Sequence, residues 1–332
     1  MAVQDKPLER PSSQSTERFL ALLKTQESVL FIITLIVMFV LSVQTDKFLT
    51  VNNLLNQGRL MTEIGLIALP MTYIIITGGI DLSVGSIAGL SAVILGYSWF
   101  NLGFPLEAAI IAALAISTVA GFLNGLLIVQ VKVPPLIMTL ATLAFYRGLA
   151  EGIAQARSVR DYPDWFYELG QRETIGVPNQ LFLLIIATFL TAILLSRTTF
   201  GRSLYAIGNN ELAARFSGIP VDRNKLIIYS LSGFMSGLAG YILVSRVTTT
   251  RSDMGTGWEL DVIAAVVLGG TSIFGGSGSI VGTAIGLVLI QLLKNGLALT
   301  GVTGDATIVV IGTVLILSTL ANTIIQRRTV GV

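Results

Sequence analysis

The chain has no cysteine and no histidine among its 332 residues. The absence of cysteine excludes disulfide bonds, thiol nucleophiles and cysteine-ligated iron–sulfur clusters. The absence of histidine removes the commonest metal ligand and the commonest general base. These two absences argue against most hydrolytic and metal-dependent enzymes, and we expect neither a cofactor nor a bound metal ion.

Charge is scarce as well. Charged residues make up 12% of the chain, whereas 53% of the residues are apolar and 34 are glycine. A typical soluble domain is about 25% charged, so too little polar surface is present to coat two soluble domains. The composition therefore predicts a polytopic membrane protein. The net charge of +2 is too small to indicate a nucleic-acid partner.

Ten apolar segments follow a polar stretch at residues 1–27. Most have roughly the 20 residues needed to cross about 30 Å of hydrocarbon. We therefore predict an all-α polytopic membrane protein with about ten transmembrane helices, some broken or re-entrant, forming one membrane domain at 28–325 between tails at 1–27 and 326–332. The segments are 28–45, 61–78, 82–100, 106–130, 134–153, 179–196, 226–246, 259–272, 279–299 and 304–325.

The distribution of lysine and arginine predicts the orientation. With ten spans both termini lie on one side of the membrane, and most of the basic residues in the tails and connecting segments fall on that side. Basic residues are enriched in cytoplasmic loops. We therefore expect a multi-pass protein of the bacterial inner membrane with both termini in the cytoplasm.

The cytoplasmic loop at about 197–225 contains a short predicted helix. Asn209 or Asn210 can cap its N-terminus, and the next residue, Glu211, suits the positive end of the helix dipole. Gly218, followed by proline two residues later, is a typical helix stop. A helix of about eight residues is not stable alone. It either lies against the bundle and lipid headgroups or docks onto a cytoplasmic partner.

A glycine-rich polar patch, TGGIDLSVGSIAG at 77–89, interrupts the apolar sequence. Gly78 and Gly79 can break a helix there. Asp81 then lies at or near membrane depth, where a charge is costly and normally faces a cavity or a partner. Asp81, followed by Ser83, can also cap a helix that begins at Leu82. The two interpretations are compatible, because transporters build midplane sites from broken helices.

A second glycine-rich patch, LGGTSIFGGSGSIVGTAIG, occupies 268–286. The sequence GSIAG at 85–89 corresponds to GSIVG at 278–282, which fits two related halves. Neither patch has the spacing of a phosphate-binding loop. If ATP drives this protein, the ATPase is another chain.

Small and charged residues also occur on the apolar segments. The pairs Gly121–Gly125 and Gly233–Gly237 have the spacing that allows close helix packing. Arg147 and Glu151 are four residues apart and can neutralise each other. Several other charged side chains can reach the membrane surface from near the ends of their segments, namely Glu63, Asp261 and Lys294.

Three motifs in the same order carry a family resemblance: ITGGIDLSVGSIAG (76–89), GRSLYAIGNNELAARFSGIPVDRNK (201–225) and VVLGGTSIFGGSGSIVGTAIG (266–286). They resemble the ribose-type permeases, the membrane subunits of bacterial ATP-binding-cassette importers for monosaccharides and the sugar-like autoinducer-2. The resemblance covers nearly the whole chain after residue 28. The sequence RSDMG at 251–255 looks closest to the autoinducer-2 and rhamnose branches.

The resemblance implies a set of partners and two functional regions. The partners are a second permease subunit, identical or homologous, two cytoplasmic ATP-binding subunits and a periplasmic solute-binding protein. The predicted substrate path includes polar residues that suit a hydroxyl-rich solute. It comprises Thr77, Gly78, Gly79, Asp81, Ser83, Gly85, Ser86 and Asn124. The predicted ATPase-coupling region comprises Gly208, Asn209, Asn210, Glu211, Ala213, Ala214, Arg215, Gly218 and Ile219.

Three other functions are weighed against this interpretation. An ion-coupled secondary transporter would use Asp81 as its ion site and would work alone, but it would not need the loop at 197–225. A membrane enzyme would need clustered catalytic groups, which the sequence lacks. A structural membrane anchor would not explain charges at membrane depth.

Overall fold

A computed structural model describes residues 26–304, 306–313 and 316. Its helices are α1 Gln26–Gln44, α2 Val51–Leu60, α3 Thr62–Ile76, α4 Val84–Phe100, α5 Leu106–Gln130, α6 Pro135–Ala154, α7 Asn179–Arg197, α8 Thr199–Asn209, α9 Glu211–Phe216, α10 Val221–Val247, α11 Trp258–Leu268 and α12 Ile280–Leu299. The chain is helical again at residue 304 and over 306–313. Strands β1 Glu173–Thr174 and β2 Val177–Pro178 form a two-residue antiparallel hairpin after a 3₁₀ turn at Asp164–Glu168.

The all-α membrane fold is confirmed. Among the described residues, six helices are long and apolar enough to span a membrane: α1, α5, α6, α7, α10 and α12. The pair α2 and α3 adds a seventh span if it is counted as one helix bent by 48°. Helices α4 and α11 have 17 and 11 residues and are shorter than a full span. The predicted tails and the greater part of the predicted segment 304–325 lie outside the described residues.

The connections between helices gather at two opposite faces. One, the hairpin face, carries β1 and β2, and there Val159 pairs with Thr250 in an antiparallel bridge. The other, the α9 face, carries α8 and α9, and there the Gly276 N–H donates to the Ile76 carbonyl at 2.9 Å. Successive long helices run between the two faces, as membrane spans must.

Helices α5 and α10 cross at the predicted small residues. A Cβ on Gly121 would collide with the Tyr229 carbonyl, and one on Gly233 would collide with the Ser117 carbonyl. The two backbones can therefore touch only because both positions lack a side chain. The packing role predicted for these glycines is confirmed.

Between α10 and α11 the chain re-enters the bundle from the hairpin face. Thr250 lies beside Gly96, Met254 lies over Gly89, and the backbone of Gly255 touches that of Gly85. These α4 residues span eleven positions, so residues 248–257, which we call the re-entrant segment, descend about 16 Å along α4. Two glycines with positive φ, at 255 and 257, then turn the chain into α11. This path explains why α11 has only 11 residues.

Glu63, Asp261 and Lys294 form ion pairs between helices rather than only extending to the membrane surface. Arg246 Nε donates to Glu63 Oε1 at 2.7 Å, and the Glu63 side chain is 2% exposed. Lys294 Nζ lies 2.6 Å from Asp261 Oδ2. Pairing reduces the cost of holding these groups away from water.

Candidate functional site

Asp81 is the centre of a buried polar cluster at the break between α3 and α4. Its Oδ1 accepts hydrogen bonds from the Ser83 N–H at 3.0 Å and the Ser83 hydroxyl at 2.6 Å, and its Oδ2 accepts one from the Ser232 hydroxyl at 2.9 Å. Asp81, Ser83 and Ser232 are each 0% exposed. The carboxylate therefore receives the donors that a buried charge requires.

The capping interpretation of Asp81 needs a small correction. Helix α4 begins at Val84, two residues later than predicted, and Ser83 occupies the N-cap. Asp81 stands just before this position and bonds the Ser83 N–H. Its negative charge thus lies at the positive end of the α4 dipole, which stabilises both the charge and the helix start.

The cluster, which we call the Asp81 cluster, extends to α5 and α6. The Asn124 Nδ2 donates to the Ser83 hydroxyl at 2.8 Å, and the Tyr146 hydroxyl lies 3.3 Å from Asn124 Oδ1. Ser83 and Asn124 are two of the residues predicted for the substrate path, and the structure brings them together. The chain of hydrogen bonds joins four helices, α4, α5, α6 and α10.

The Asp81 cluster lies well inside the bundle. Ser232 is eleven residues from the start of α10, which places it about 16 Å along that helix. Tyr146 is likewise eleven residues from the start of α6. The cluster is therefore near the middle of both helices, where a polar group needs a partner or a water-filled path.

The other residues predicted for the path flank the cluster. Thr77 closes α3 by donating to the Ile74 carbonyl at 2.8 Å, and Ser86 donates to the Ser83 carbonyl at 2.7 Å. Gly78 has φ of +78° and open space where a Cβ would stand. Gly79 and Gly85 pack against the Tyr229 hydroxyl and the re-entrant segment.

Sequence reasoning missed Tyr229 and Ser232 of α10. The Tyr229 hydroxyl is buried over Gly79 and has no hydrogen-bond partner among the described residues. The Tyr229 hydroxyl can therefore still donate one hydrogen bond and accept another beside the Asp81 cluster. Ser232 is 151 residues from Asp81, and only the packing of α10 against α4 brings the two together.

A cavity of about 580 Å³ opens near the hairpin face between α4, α5 and α6. Its walls combine apolar side chains with Tyr97, Asn101, Gln155 and Arg157. No residue predicted for the substrate path lies in its wall. The Asp81 cluster is separated from this cavity along α4.

The predicted coupling helix is present as α9. Its N-cap is Asn210, whose Oδ1 accepts from the Ala213 N–H at 2.9 Å, and Gly218 ends the turn with φ of +79°. The helix has six residues rather than about eight. It is preceded by α8, an amphipathic helix that the sequence interpretation treated as part of a loop.

Ion pairs tie α9 to the start of α10. Glu211 bonds Arg215 at 3.0 Å and Lys225 at 2.6 Å, and Arg215 also pairs with Asp222. Burial by itself would raise the pKa of Glu211, but the hydrogen bonds and charges of Lys225 and Arg215 outweigh burial and lower that pKa. Since the pKa is depressed, this tether is intact at neutral pH and is lost only when acid protonates Glu211.

Part of α9 packs inward and part is exposed. Ala214 is buried with Ile207 and Val221, and Ile219 packs against them. On the outer side, Leu212 is 65% exposed and Phe216 is 84% exposed. An exposed apolar pair on a rigidly held helix is typical of a protein-contact surface.

Two more of the predicted coupling residues connect α8 to the break after α3. A Cβ on Gly208 would collide with the Ile76 carbonyl and would stand 2.5 Å from the Gly276 nitrogen. Asn209 donates to the Tyr205 carbonyl at 3.0 Å and lies beside Gly276. The α8–α9 unit thus touches the end of α3 at Ile76 and the glycine-rich patch at 268–286.

Arg147 does not form an ion pair with Glu151. Arg147 Nη1 donates instead to the carbonyls of Ser252 at 2.6 Å and Met254 at 2.8 Å, and Nη2 lies 3.4 Å from the Gly85 carbonyl. Among the described residues Arg147 has no carboxylate within ion-pair distance. The guanidinium holds the re-entrant segment because its several donors match several carbonyls.

These features define a class: a multi-pass α-helical membrane protein with broken helices around a buried polar centre. Residues 53–319 match the family described as branched-chain amino acid transport system / permease component. The chain belongs to this family of permease components, and so it is a transport subunit of the inner membrane rather than an enzyme.

Named relatives align over most of the chain. The ribose import permease protein RbsC of Bacillus subtilis is 42% identical over 88% of this chain and 90% of its own length. RbsC of Escherichia coli K12 is 37% identical over 91% and 94%. The autoinducer 2 import system permease protein LsrD of Photorhabdus laumondii is 34% identical over 90% and 91%. No solved structure gives a significant match.

Proposed function

We propose that this chain is the membrane-spanning permease subunit of an ATP-driven importer that carries a monosaccharide or a sugar-like solute. The observation that carries the proposal is α9, a capped and ion-paired helix with exposed apolar side chains on the face opposite the hairpin. The names of the relatives, which refer to ribose and autoinducer-2 import, support this solute class.

The proposed assembly has two permease subunits, identical or homologous, two cytoplasmic ATP-binding subunits and a periplasmic solute-binding protein. The α9 face and both termini lie in the cytoplasm, and the hairpin face receives the loaded binding protein. ATP binding and hydrolysis on the partner subunits move α9, and the bundle opens to one side and then to the other.

The Asp81 cluster is the proposed centre of the solute path. It offers serine, asparagine and tyrosine groups that can exchange hydrogen bonds with sugar hydroxyls. Each such bond contributes about 1 kcal/mol net. Weak contacts suit a permease, since a tightly bound solute would leave slowly. Selection of the solute then rests mainly with the binding protein.

The energy source tests the proposal against an ion-coupled carrier. The chain is expressed together with the proposed ATPase and binding-protein partners in cells that lack ribose uptake. Labelled ribose and autoinducer-2 are then supplied. We expect uptake to continue when the proton gradient is collapsed and ATP is maintained, and to stop when ATP is depleted. The opposite pattern would favour a secondary transporter that uses Asp81 as its ion site.

Replacing Phe216 by glutamate tests α9 as the docking helix. An exposed aromatic anchor contributes about 2 kcal/mol to an interface, or roughly thirtyfold in affinity. We therefore expect Phe216→Glu to lose copurification with the ATPase and ATP-driven uptake, while its melting temperature is unchanged. The matched control is Ile175→Glu, since Ile175 is 95% exposed on the hairpin face. Equal ATPase recovery in the two variants would contradict the assignment of α9.

A further inference from the structure

Arg147 is the one guanidinium at mid-depth among the described residues of α6. It lies twelve residues, or about 18 Å, from the start of that helix. Its nitrogens donate to the carbonyls of Ser252 and Met254, both in the re-entrant segment, and approach that of Gly85 in α4. A charge at this depth is costly unless it is well bonded, so its geometry points to a specific task.

The re-entrant segment covers the first turn of α4. Gly85 touches the backbone of Gly255, and a Cβ on Gly89 would stand 2.6 Å from the Met254 carbonyl. Asp81 lies one turn before Gly85, on the side away from the hairpin face. The segment therefore stands between the hairpin face and the Asp81 cluster.

Packing holds part of this segment: Met254 lies in a buried cluster with Leu243 and Val244, and Gly255 touches Gly85. Its upper part is bonded through Thr250, which pairs with Val159 and with the Tyr162 hydroxyl at 2.6 Å. Below Thr250, the side chain that bonds the backbone of the segment from another element is that of Arg147. Gly255 and Gly257, both with positive φ, form the turn at the tip of the segment.

We propose that Arg147 is the positioning residue of the re-entrant segment: it holds the segment closed over the Asp81 cluster, and solute passage requires this contact to be released. The first half of the proposal concerns the chain alone. The second half rests on the proposed function, because it needs a solute that crosses from the hairpin face.

The absence of cysteine makes the position of the segment directly measurable. Met254 is 8% exposed, so a single cysteine in Met254→Cys reports whether the tip is closed. Ile175→Cys labels readily and identifies the hairpin face. A membrane-impermeant maleimide is applied to sealed vesicles of either orientation. Each cysteine is introduced into the parent chain and into the variants Arg147→Met, Arg147→Lys and Arg157→Met.

We expect Arg147→Met to speed the labelling of the 254 cysteine by roughly tenfold or more, because two charge-assisted hydrogen bonds are lost. The increase occurs from the side on which the 175 cysteine reacts. Arg147→Lys gives an intermediate rate, since an ammonium lacks the planar fork. Arg157→Met removes a charge from an arginine without an ion pair among the described residues, and leaves the rate unchanged.

Each opposing result overturns a defined part of the proposal. An unchanged rate in Arg147→Met removes the positioning role. Faster labelling from both sides with a lower melting temperature shows that Arg147 supports only the fold, as does aggregation of both Arg147 variants. If labelling follows expectation but Arg147→Met transports labelled ribose or autoinducer-2 at the parental rate, release of the contact is not part of transport. A parent chain that transports neither solute would count against the proposed function and leave the labelling result standing.

Discussion

Asp81→Asn should lower solute uptake at least tenfold and leave the fold unchanged. The amide oxygen can still accept from Ser83, and its NH₂ group can donate to Ser232, so the hydrogen-bond geometry is kept. What is lost is the negative charge at the start of α4. A charge-assisted hydrogen bond is about twice as strong as a neutral one, so the Asp81 cluster loosens at the proposed centre of the solute path. The measurement is uptake of labelled solute per unit of purified protein, with the melting temperature in detergent.

Two further variants isolate the role of Asp81. Asp81→Ala removes three accepted hydrogen bonds from a fully buried site. Hydrogen bonds to a charged group contribute about 1.5–3 kcal/mol each, so the loss in folding stability is about 5 kcal/mol or more. Asp161→Asn makes the same chemical change at an exposed position of the hairpin face and should alter neither quantity. Normal uptake by Asp81→Asn would reduce Asp81 to a residue that only stabilises the start of α4.

Gly121→Val should be strongly destabilising. Its side chain would meet the backbone of α10 at Tyr229 and Gly233, and a backbone cannot move aside as a flexible side chain can. Overpacking commonly costs about 1–3 kcal/mol, and we expect the upper end of that range or more. Thermal unfolding in detergent, followed by light scattering or intrinsic fluorescence, measures the effect.

Gly148→Val is the matched control for this substitution. Gly148 lies in α6, another long membrane helix, and has no atom within 4 Å of the place where a Cβ would stand. The same change of side chain and of helix propensity is therefore made without a clash. If both variants lost equal stability, valine in a membrane helix would be the cause, and the close crossing of α5 and α10 would not.

The sequence predicts the long helices well because their signal is local. The segment predicted at 106–130 is α5 without any change of bounds, and those at 134–153 and 179–196 match α6 and α7 to within a residue. The apolar pattern does not predict helix α8, because its 11 residues are amphipathic and contain no run of apolar residues. The sequence does not predict the bend between α2 and α3 either, because α2 is polar and its position is set by packing.

The sequence predicts only part of the candidate site. Asp81 stands out as an isolated charge beside two glycines, and Asn210 as a cap before a short helix. Their partners are set by tertiary packing: Ser232 is 151 residues from Asp81, and Ser252 is 105 residues from Arg147. The spacing of Arg147 and Glu151 predicts a contact between them because the two are close in sequence. Every residue has a backbone carbonyl group, so the sequence cannot indicate which carbonyl groups Arg147 bonds.

The separation of Arg147 from its partners has a consequence for biogenesis. A chain is synthesised from its N-terminus, so Arg147 is made 105 residues before Ser252 and 107 residues before Met254. During that interval the guanidinium has not yet formed its two shortest hydrogen bonds. A charge at mid-depth costs about 2.5–3.5 kcal/mol on insertion scales. The set of hydrogen bonds that holds Arg147 is therefore completed only when the second half of the chain has been translated.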